Sequence, residues 1–320
     1  MTGFFQVLAA RLESSQRVFV GLVVGHTPHS PGSTGARMAV FEDGESIGTV
    51  GGGVMELSIS AMASAALNNS ADPFVPRLRH LVHRIDAGDA ASGLMCAGEQ
   101  TNLYLLLDRT DHLAPLQAAA EAERLGLPGV LTISPAALTF RPDDAGPQHR
   151  LLQNAGTWEY RQQLLNLSRV AVLGGGHCGL ALSRTLASLG YHVSVFDDRA
   201  SVPTMDANTM ADTSRVVDDL TAAASLVDYP DLTAAVVMCN DVKNDIRALS
   251  GLLRLPFPFI GVMGSPAKIG HISSSLRDAG FGKADLRRLT APVGLPIGSR
   301  TPQEIAISVA AQLIERERAL

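Results

Sequence analysis

The feature that most narrows the fold is a glycine-rich turn set between a strand and a helix, Val170-Ala-Val-Leu-Gly174-Gly-Gly176-His-Cys-Gly179-Leu-Ala-Leu. A short apolar run before the glycines reads as a buried strand, and residues 178–189 carry helical spacing. The GxGxxG spacing gives each glycine a task. Gly174 turns the chain, Gly176 lets a phosphate approach the backbone, and Gly179 lets the helix start close to the strand. The helix N-terminus adds unpaired N–H groups and a partial positive charge. About 20 residues further on, Asp197-Asp198 ends a second apolar run, at the spacing of an acid that would hold a ribose.

The chain from 169 to 320 continues that pattern. Apolar runs at 170–173, 192–196, 234–239 and 257–263 alternate with helical stretches at 178–189, 241–253, 266–279 and 302–318. Such alternation predicts a Rossmann-type doubly wound parallel sheet, so the fold class is α/β with a smaller N-terminal α+β domain. Two later turns repeat the strand-to-helix device. Gly264-Ser265-Pro266 precedes Lys268, and Gly298-Ser-Arg300-Thr301 leads into Pro302 with Glu304 completing a capping box. On the carboxyl edge of a parallel sheet these turns read either as anion sites, with Lys268 and Arg300 supplying charge, or as ordinary helix caps. No residue suits the acid–base work of a dehydrogenase, because His177 lies within the glycine loop and His192 within a strand. No catalytic residue and no metal site is therefore assigned.

Residues 1–110 read as the smaller domain. Strands are expected at 18–24, 36–41, 46–50, 78–85 and 101–107, with a helix over 54–68. Two glycine-rich segments stand out there, Ser30-Pro-Gly-Ser-Thr-Gly35-Ala-Arg37-Met38 and Gly48-Thr-Val-Gly51-Gly52-Gly53-Val-Met-Glu56. They would gather N–H groups, one arginine and one carboxylate in a cleft, or form plain hairpin turns. Cys96, between Gly93 and Gly98, is an accessible thiol on this reading, whereas Cys178 and Cys239 read as buried. His80 and His83 would face opposite sides of a strand, which rejects a metal pair. Residues 111–168 read as a bridging segment, with a linker-like run from Arg141 to Pro147.

Composition bounds the partners. A net charge of −5 gives no general attraction for nucleic acid. The apolar N-terminus is broken by Arg11 and Glu13, so an amphipathic helix is expected rather than an export signal or a membrane anchor. Three scattered cysteines make no disulfide framework and point to a reducing, cytoplasmic setting.

Taken together, the segments 31–38 and 48–56, the glycine loop at 174–179, and the stretches 259–268 and 297–311 resemble the XdhC/CoxI family in order and character. The resemblance implies an accessory protein of molybdenum hydroxylases such as xanthine dehydrogenase. Such a chaperone binds the molybdenum cofactor (molybdopterin), holds it while a cysteine desulfurase partner sulfurates it, and delivers it to the apoenzyme. The implied cofactor contacts are Gly35, Arg37, Gly51, Gly52, Gly53, Glu56, Cys96, Gly174, Gly176, Gly179, Asp197, Gly264, Ser265, Lys268 and Arg300, set between the two domains, with Arg37 or Arg300 near the phosphate. This chain departs from the family pattern at Ala97, where Cys-Gly-Gly is common, and at Cys239-Asn240-Asp241, where Thr-His-Asp is common; Asp245 matches a later acidic position. The alternative is an NAD(P)-dependent oxidoreductase using the same loop with Asp197 or Asp198, and a third reading is an interaction module with a vestigial pocket. A homodimer is compatible with the sequence, although no seam is legible.

Overall fold

The computed structural model describes residues 3–318 apart from 15, 70–73, 85–86, 95, 97, 143–145 and 155. The chain divides into two compact units, Met1–Leu165 and Asn166–Leu320.

In the first unit, helix α1 (Phe4–Glu13) leads into strands β1 (Val18–His26), β2 (Arg37–Phe41) and β3 (Ser46–Gly48). Helix α2 (Val54–Asn68) and strands β4 (Arg77–Val82) and β5 (Glu99–Leu107) follow. The five strands form an antiparallel sheet in the order β3-β2-β1-β5-β4. Its central strand β1 is covered on both faces from Val18 to Val24, which explains why that stretch is apolar and does not alternate with polar residues. Val18, Val20, Leu22 and Val24 meet Phe5, Leu8 and Leu12 of α1. Phe19 and Val23 meet the α2 stripe of Met55, Ile59, Ala63 and Leu67, spaced four apart along one helix face.

The stretch expected to bridge two domains is a folded part of this unit. It holds helix α3 (Arg109–Leu125) and strands β6 (Gly129–Ile133), β7 (Leu138–Pro142), β8 (His149–Asn154) and β9 (Thr157–Gln163). These strands form a second antiparallel sheet, β7-β6-β9-β8. Leu116 and Ala119 of α3, with Leu131, Ile133 and Tyr160 of the sheet, enter the same core as α1. The three later strands escaped periodicity because most of their residues face solvent or lie half-buried. Part of the linker-like run, residues 143–145, lies outside the described residues.

The second unit is built from β10 (Arg169–Leu173), α4 (His177–Ser188), β11 (His192–Asp197), α5 (Pro203–Asp206), β12 (Thr213–Val216) and α6 (Leu220–Ala223). It continues with β13 (Thr233–Val237), α7 (Val242–Leu252), β14 (Phe259–Val262), α8 (Pro266–Asp278), α9 (Lys283–Leu286), β15 (Leu289–Thr290) and α10 (Pro302–Arg318). The six strands are all parallel in the order β12-β11-β10-β13-β14-β15. Strand order reverses between β10 and β13, and a crevice opens at such a switch point beyond the carboxyl ends. Alternate residues of β10 serve opposite layers: Val170 and Val172 pack with α4 and α10, Ala171 and Leu173 with α6 and α7. The sequence pattern missed β12 and β15. The first is a polar, exposed edge and the second only two residues long. Among the described residues no helix is long and apolar enough to cross a membrane.

Ile59 is fully buried and its side chain lies beneath Gly21 of β1. Ile59→Ala is expected to destabilise the first unit by about 2–5 kcal/mol. Urea unfolding followed by the fluorescence of Trp158, the single tryptophan, which lies on β9 of that unit, measures the loss.

Candidate functional site

In the second unit the glycine loop takes the form its spacing predicts. Gly174 has φ 119°, and a Cβ there would lie 2.4 Å from the Met238 carbonyl oxygen. Gly179 approaches the loop so closely that a Cβ would meet the Gly174 oxygen at 2.1 Å. Gly176 is different. Its backbone is extended, and a Cβ would meet only Arg199 Nη2, at 3.9 Å. Neither backbone conformation nor protein packing requires glycine at 176, so the space beside it is free for a ligand. Helix α4 starts at this loop with no side-chain cap on its N-terminus, leaving backbone donors directed outward.

The acid expected to hold a ribose is already committed. Asp197 is 3% exposed; its Oδ2 accepts from Gly175 N–H at 2.7 Å and from Arg199 Nη2 at 2.8 Å. Its Oδ1 accepts from the Arg199 backbone N–H at 3.0 Å and from Arg199 Nε at 2.8 Å. Burial alone would raise this carboxyl, but the Arg199 guanidinium and the N–H donors outweigh it and hold the pKa below the usual carboxylate range. Asp198 accepts from Asn244 Nδ2 at 3.2 Å. Met205 covers the outer side of the loop at Gly175.

The other turns on this edge are capped from within. Ser265 Oγ accepts from Lys268 N–H at 3.3 Å. The Lys268 ammonium pairs with the fully buried Asp245, whose Oδ1 also accepts from Cys239 N–H at 3.0 Å. Lys268 thus ties α8 to α7 and is not a free cation in the turn after Gly264. Cys239 is buried, as its sequence setting suggests, and burial with the adjacent Asp245 pushes its thiol pKa up. Glu304 Oε2 accepts from the N–H groups of Arg300 and Thr301 at 2.7 and 3.0 Å, which closes the start of α10 to an anion; the Arg300 side chain is exposed. Among these turns, the one at Gly176 keeps its donors available.

In the first unit three segments converge. A Cβ on Gly51 would strike Gly32 N at 2.7 Å, and one on Gly98 would strike Ser30 N at 2.4 Å. The turn 49–53, the loop 26–35 and the Cys96 loop therefore meet backbone to backbone. Gly51, Gly52 and Gly53 all have positive φ and hand over to α2, which starts without a side-chain cap. Glu56 serves the turn itself: its Oε1 accepts from Thr49 Oγ1 at 2.5 Å and from Gly52 N–H at 3.0 Å. Cys96 is exposed; Ala97 lies outside the described residues.

Arg37 is not brought to this cluster, a correction to the expectation that it meets a phosphate. Its guanidinium pairs with Glu123 of α3 at 3.2 Å and lies over the rings of Phe4 and Phe5 at 4.8 and 4.5 Å. The sequence could not reveal this, because Glu123 and the two rings come from distant helices. Gly35 packs against the ring of His149 on β8. Two residues that matter were missed: Arg199, whose signal was an arginine two positions after the acid, and the buried His83, set aside once a metal pair was rejected. Among the described residues no group of three or more His, Cys, Asp or Glu side chains could hold a metal ion.

The second unit is therefore a dinucleotide-type parallel sheet whose glycine loop is open and whose ribose acid is closed. Comparison with known proteins gives this architecture a family. The XdhC and CoxI family model matches residues 11–76, and the XdhC Rossmann domain model matches residues 170–313. The chain belongs to the XdhC family. It is 22% identical to a probable xanthine dehydrogenase subunit of Bacillus subtilis over 99% of this chain and 98% of that one. It is 30% identical to the uncharacterized protein YqeB of Escherichia coli over 147 residues, which span 46% of this chain and 27% of that relative's length. A crystal structure of a xanthine dehydrogenase from Bacillus halodurans shares the fold at a TM-score of 0.74 and 19% identity, over 98% of this chain and 95% of that one.

Replacing Lys268 by Met leaves the Asp245 carboxylate buried without its counter-ion, which is expected to destabilise the second unit by about 3–5 kcal/mol in urea unfolding followed by circular dichroism. The stability drawn from Asp197 is complete above the unfolded carboxyl value of about 3.9 and is lost as pH falls through the lower folded value. Asp197→Asn is expected to flatten that acid limb when stability is measured from about pH 5 to about pH 2.

Proposed function

We propose that this chain is an accessory protein of a xanthine dehydrogenase-like molybdenum hydroxylase, holding the molybdenum cofactor during sulfuration by a cysteine desulfurase and delivering it to the apoenzyme. Membership of the XdhC family and likeness to a probable xanthine dehydrogenase subunit support the accessory role. The observation that carries the choice of ligand is the state of the glycine loop. A dinucleotide needs an acid at the end of β11 to accept from a ribose diol; here both Asp197 oxygens are occupied by Arg199 and Gly175, and Asp198 is engaged by Asn244 and Arg247.

What the loop still offers suits a phosphate. The uncapped start of α4, the space beside Gly176 and the Arg199 guanidinium next to it would hold the terminal phosphate of molybdopterin. When bound, the cofactor supplies the molybdenum centre that the client enzyme uses. The residues of this chain bind and orient it. Within the first unit, Cys96 and the turn 51–53 offer a thiol and backbone donors of their own. One observation favours a second reading: an arginine beyond the second strand is also where a 2′-phosphate is recognised, so NADP is the competing ligand.

Purified protein mixed with molybdenum cofactor is expected to retain pterin and molybdenum together on gel filtration. Gly176→Glu, which fills the free space with a like charge, is expected to weaken retention at least tenfold, about 1.4 kcal/mol or more. Retention of neither pterin nor metal by the wild type would end this reading. Tight NADP binding abolished by the same substitution would replace it with the second.

A further inference from the structure

The converging segments of the first unit are fastened to one imidazole. His83 follows β4 and is fully buried. Its Nδ1 lies 2.6 Å from Ser92 Oγ and its Nε2 lies 3.2 Å from Ser30 Oγ. Its backbone holds the same loop: the carbonyl accepts from Cys96 N–H at 3.2 Å, and its N–H donates to the Gly98 carbonyl at 2.9 Å.

The surrounding bonds decide which ring nitrogen carries the proton. Gln100 Nε2 donates to the Val50 carbonyl at 3.2 Å and to Asn102 Oδ1 at 2.8 Å, which orients the amide. Its Oε1 then accepts from Gly32 N–H at 3.2 Å and from the Ser30 hydroxyl at 3.0 Å. With that hydroxyl proton committed, Ser30 Oγ accepts from His83 Nε2–H. Nδ1 is left as the acceptor of the Ser92 hydroxyl, while Ser92 Oγ accepts from Leu94 N–H at 3.2 Å. Every donor in this chain has its acceptor only while the ring is neutral. A proton on Nδ1 would oppose the Ser92 hydroxyl proton and place a charge where solvent does not reach.

We propose that His83 is the positioning residue of the Cys96 loop, that its neutral ring holds this loop against the two glycine segments, and that protonation of the ring releases it. The inference concerns the loop and holds whatever ligand the protein takes. Burial keeps the imidazole below the ordinary histidine range, against smaller upward pulls from Gln100 and the Glu99 carboxylate. Glu99 is itself paired with His80 Nε2 at 3.3 Å. Glu56, from the glycine turn, is held by Thr49 and Gly52; Arg84 adjoins His83 in the chain, and Asp86 lies outside the described residues. The ring's neighbours in this network, the two serines and the Gln100 amide, are neutral groups that cannot neutralise a cation.

The sign follows from linkage. In the open loop the ring meets water and titrates near its ordinary value of about 6.5. Above that value both states are neutral and pH has no effect. Below it the open state takes up a proton that the closed state refuses, so each pH unit raises the open population by up to about tenfold. Amide hydrogen exchange on the full-length protein, with rates normalised to those of an unstructured chain at each pH, reads this directly. The protection of the Leu94 and Cys96 amides is expected to hold from about pH 7.5 to 6.5 and to fall about tenfold between about pH 6 and 5, while Leu105 in β5 stays protected. In His83→Gln, which has a donor near the Nε2 position and no titration, the fall disappears.

Flat protection in the wild type, equal loss at Leu105, or a fall that persists in His83→Gln would overturn the proposal. If His83→Gln does not fold, Ser92→Ala decides. Without the hydroxyl that donates to Nδ1, the His83 titration followed by its Cε1 proton resonance is expected to move up toward the ordinary value; an unmoved titration refutes the role.

Discussion

A buried carboxylate is costly without a counter-ion, and two of them at the carboxyl edge of the parallel sheet organise the second unit. Asp197 ends β11 and Asp245 lies in the first turn of α7, with relative exposures of 3% and 0%. Each is neutralised by a cation from its own surroundings, Arg199 and Lys268. These pairings consume both carboxylates and the Lys268 ammonium, while the Arg199 guanidinium, although paired, stays partly exposed beside the loop. Asp197 is spent on bracing the glycine loop through Gly175, and Lys268 on joining α8 to α7. What survives is a property of the backbone: the uncapped start of α4 and the space beside Gly176. A site that offers N–H donors and one flanking guanidinium selects an anion, with little left for a sugar diol.

The first unit solves the same problem with neutral groups. Its glycine segments and the Cys96 loop enclose His83, Gln100 and Asn102, all buried. Their hydrogen bonds form a chain in which each member has one workable orientation. Such a network fixes three loops at once, because displacing any of them leaves a buried donor or acceptor without a partner, at about 1–3 kcal/mol each. The apolar core supplies the rigid base: β1, covered on both faces, holds the loop at 26–35 at one end.

Much of this was legible in the residues. The loop at 174–179 and its flanking strand and helix are local events with strong steric signatures, and the bounds of α2 follow from its apolar spacing. The strands β7–β9 and β12 were not legible, because exposed or half-buried strands of mixed polarity carry no clean alternation. The site residues divide in the same way. Gly174, Gly176 and Gly179 could be assigned their tasks from spacing alone. Arg37, Glu56 and Lys268 could be named as charged residues near glycine turns, but their partners Glu123, Thr49 and Asp245 were not foreseen, and two of them lie far along the chain or on another helix.

The sequence by itself determined the parallel sheet, the glycine loop and the kinship of the two halves with one family. Those depend on periodicity and on short-range sterics, which are written in consecutive residues. Tertiary structure alone decided which charges remain free. Arg37 is drawn into the core by Glu123 and two phenylalanine rings, and Asp245 is neutralised by Lys268 of the next long helix. An ion pair forms wherever folding brings opposite charges together at low solvent exposure, and no spacing rule along the chain records that meeting.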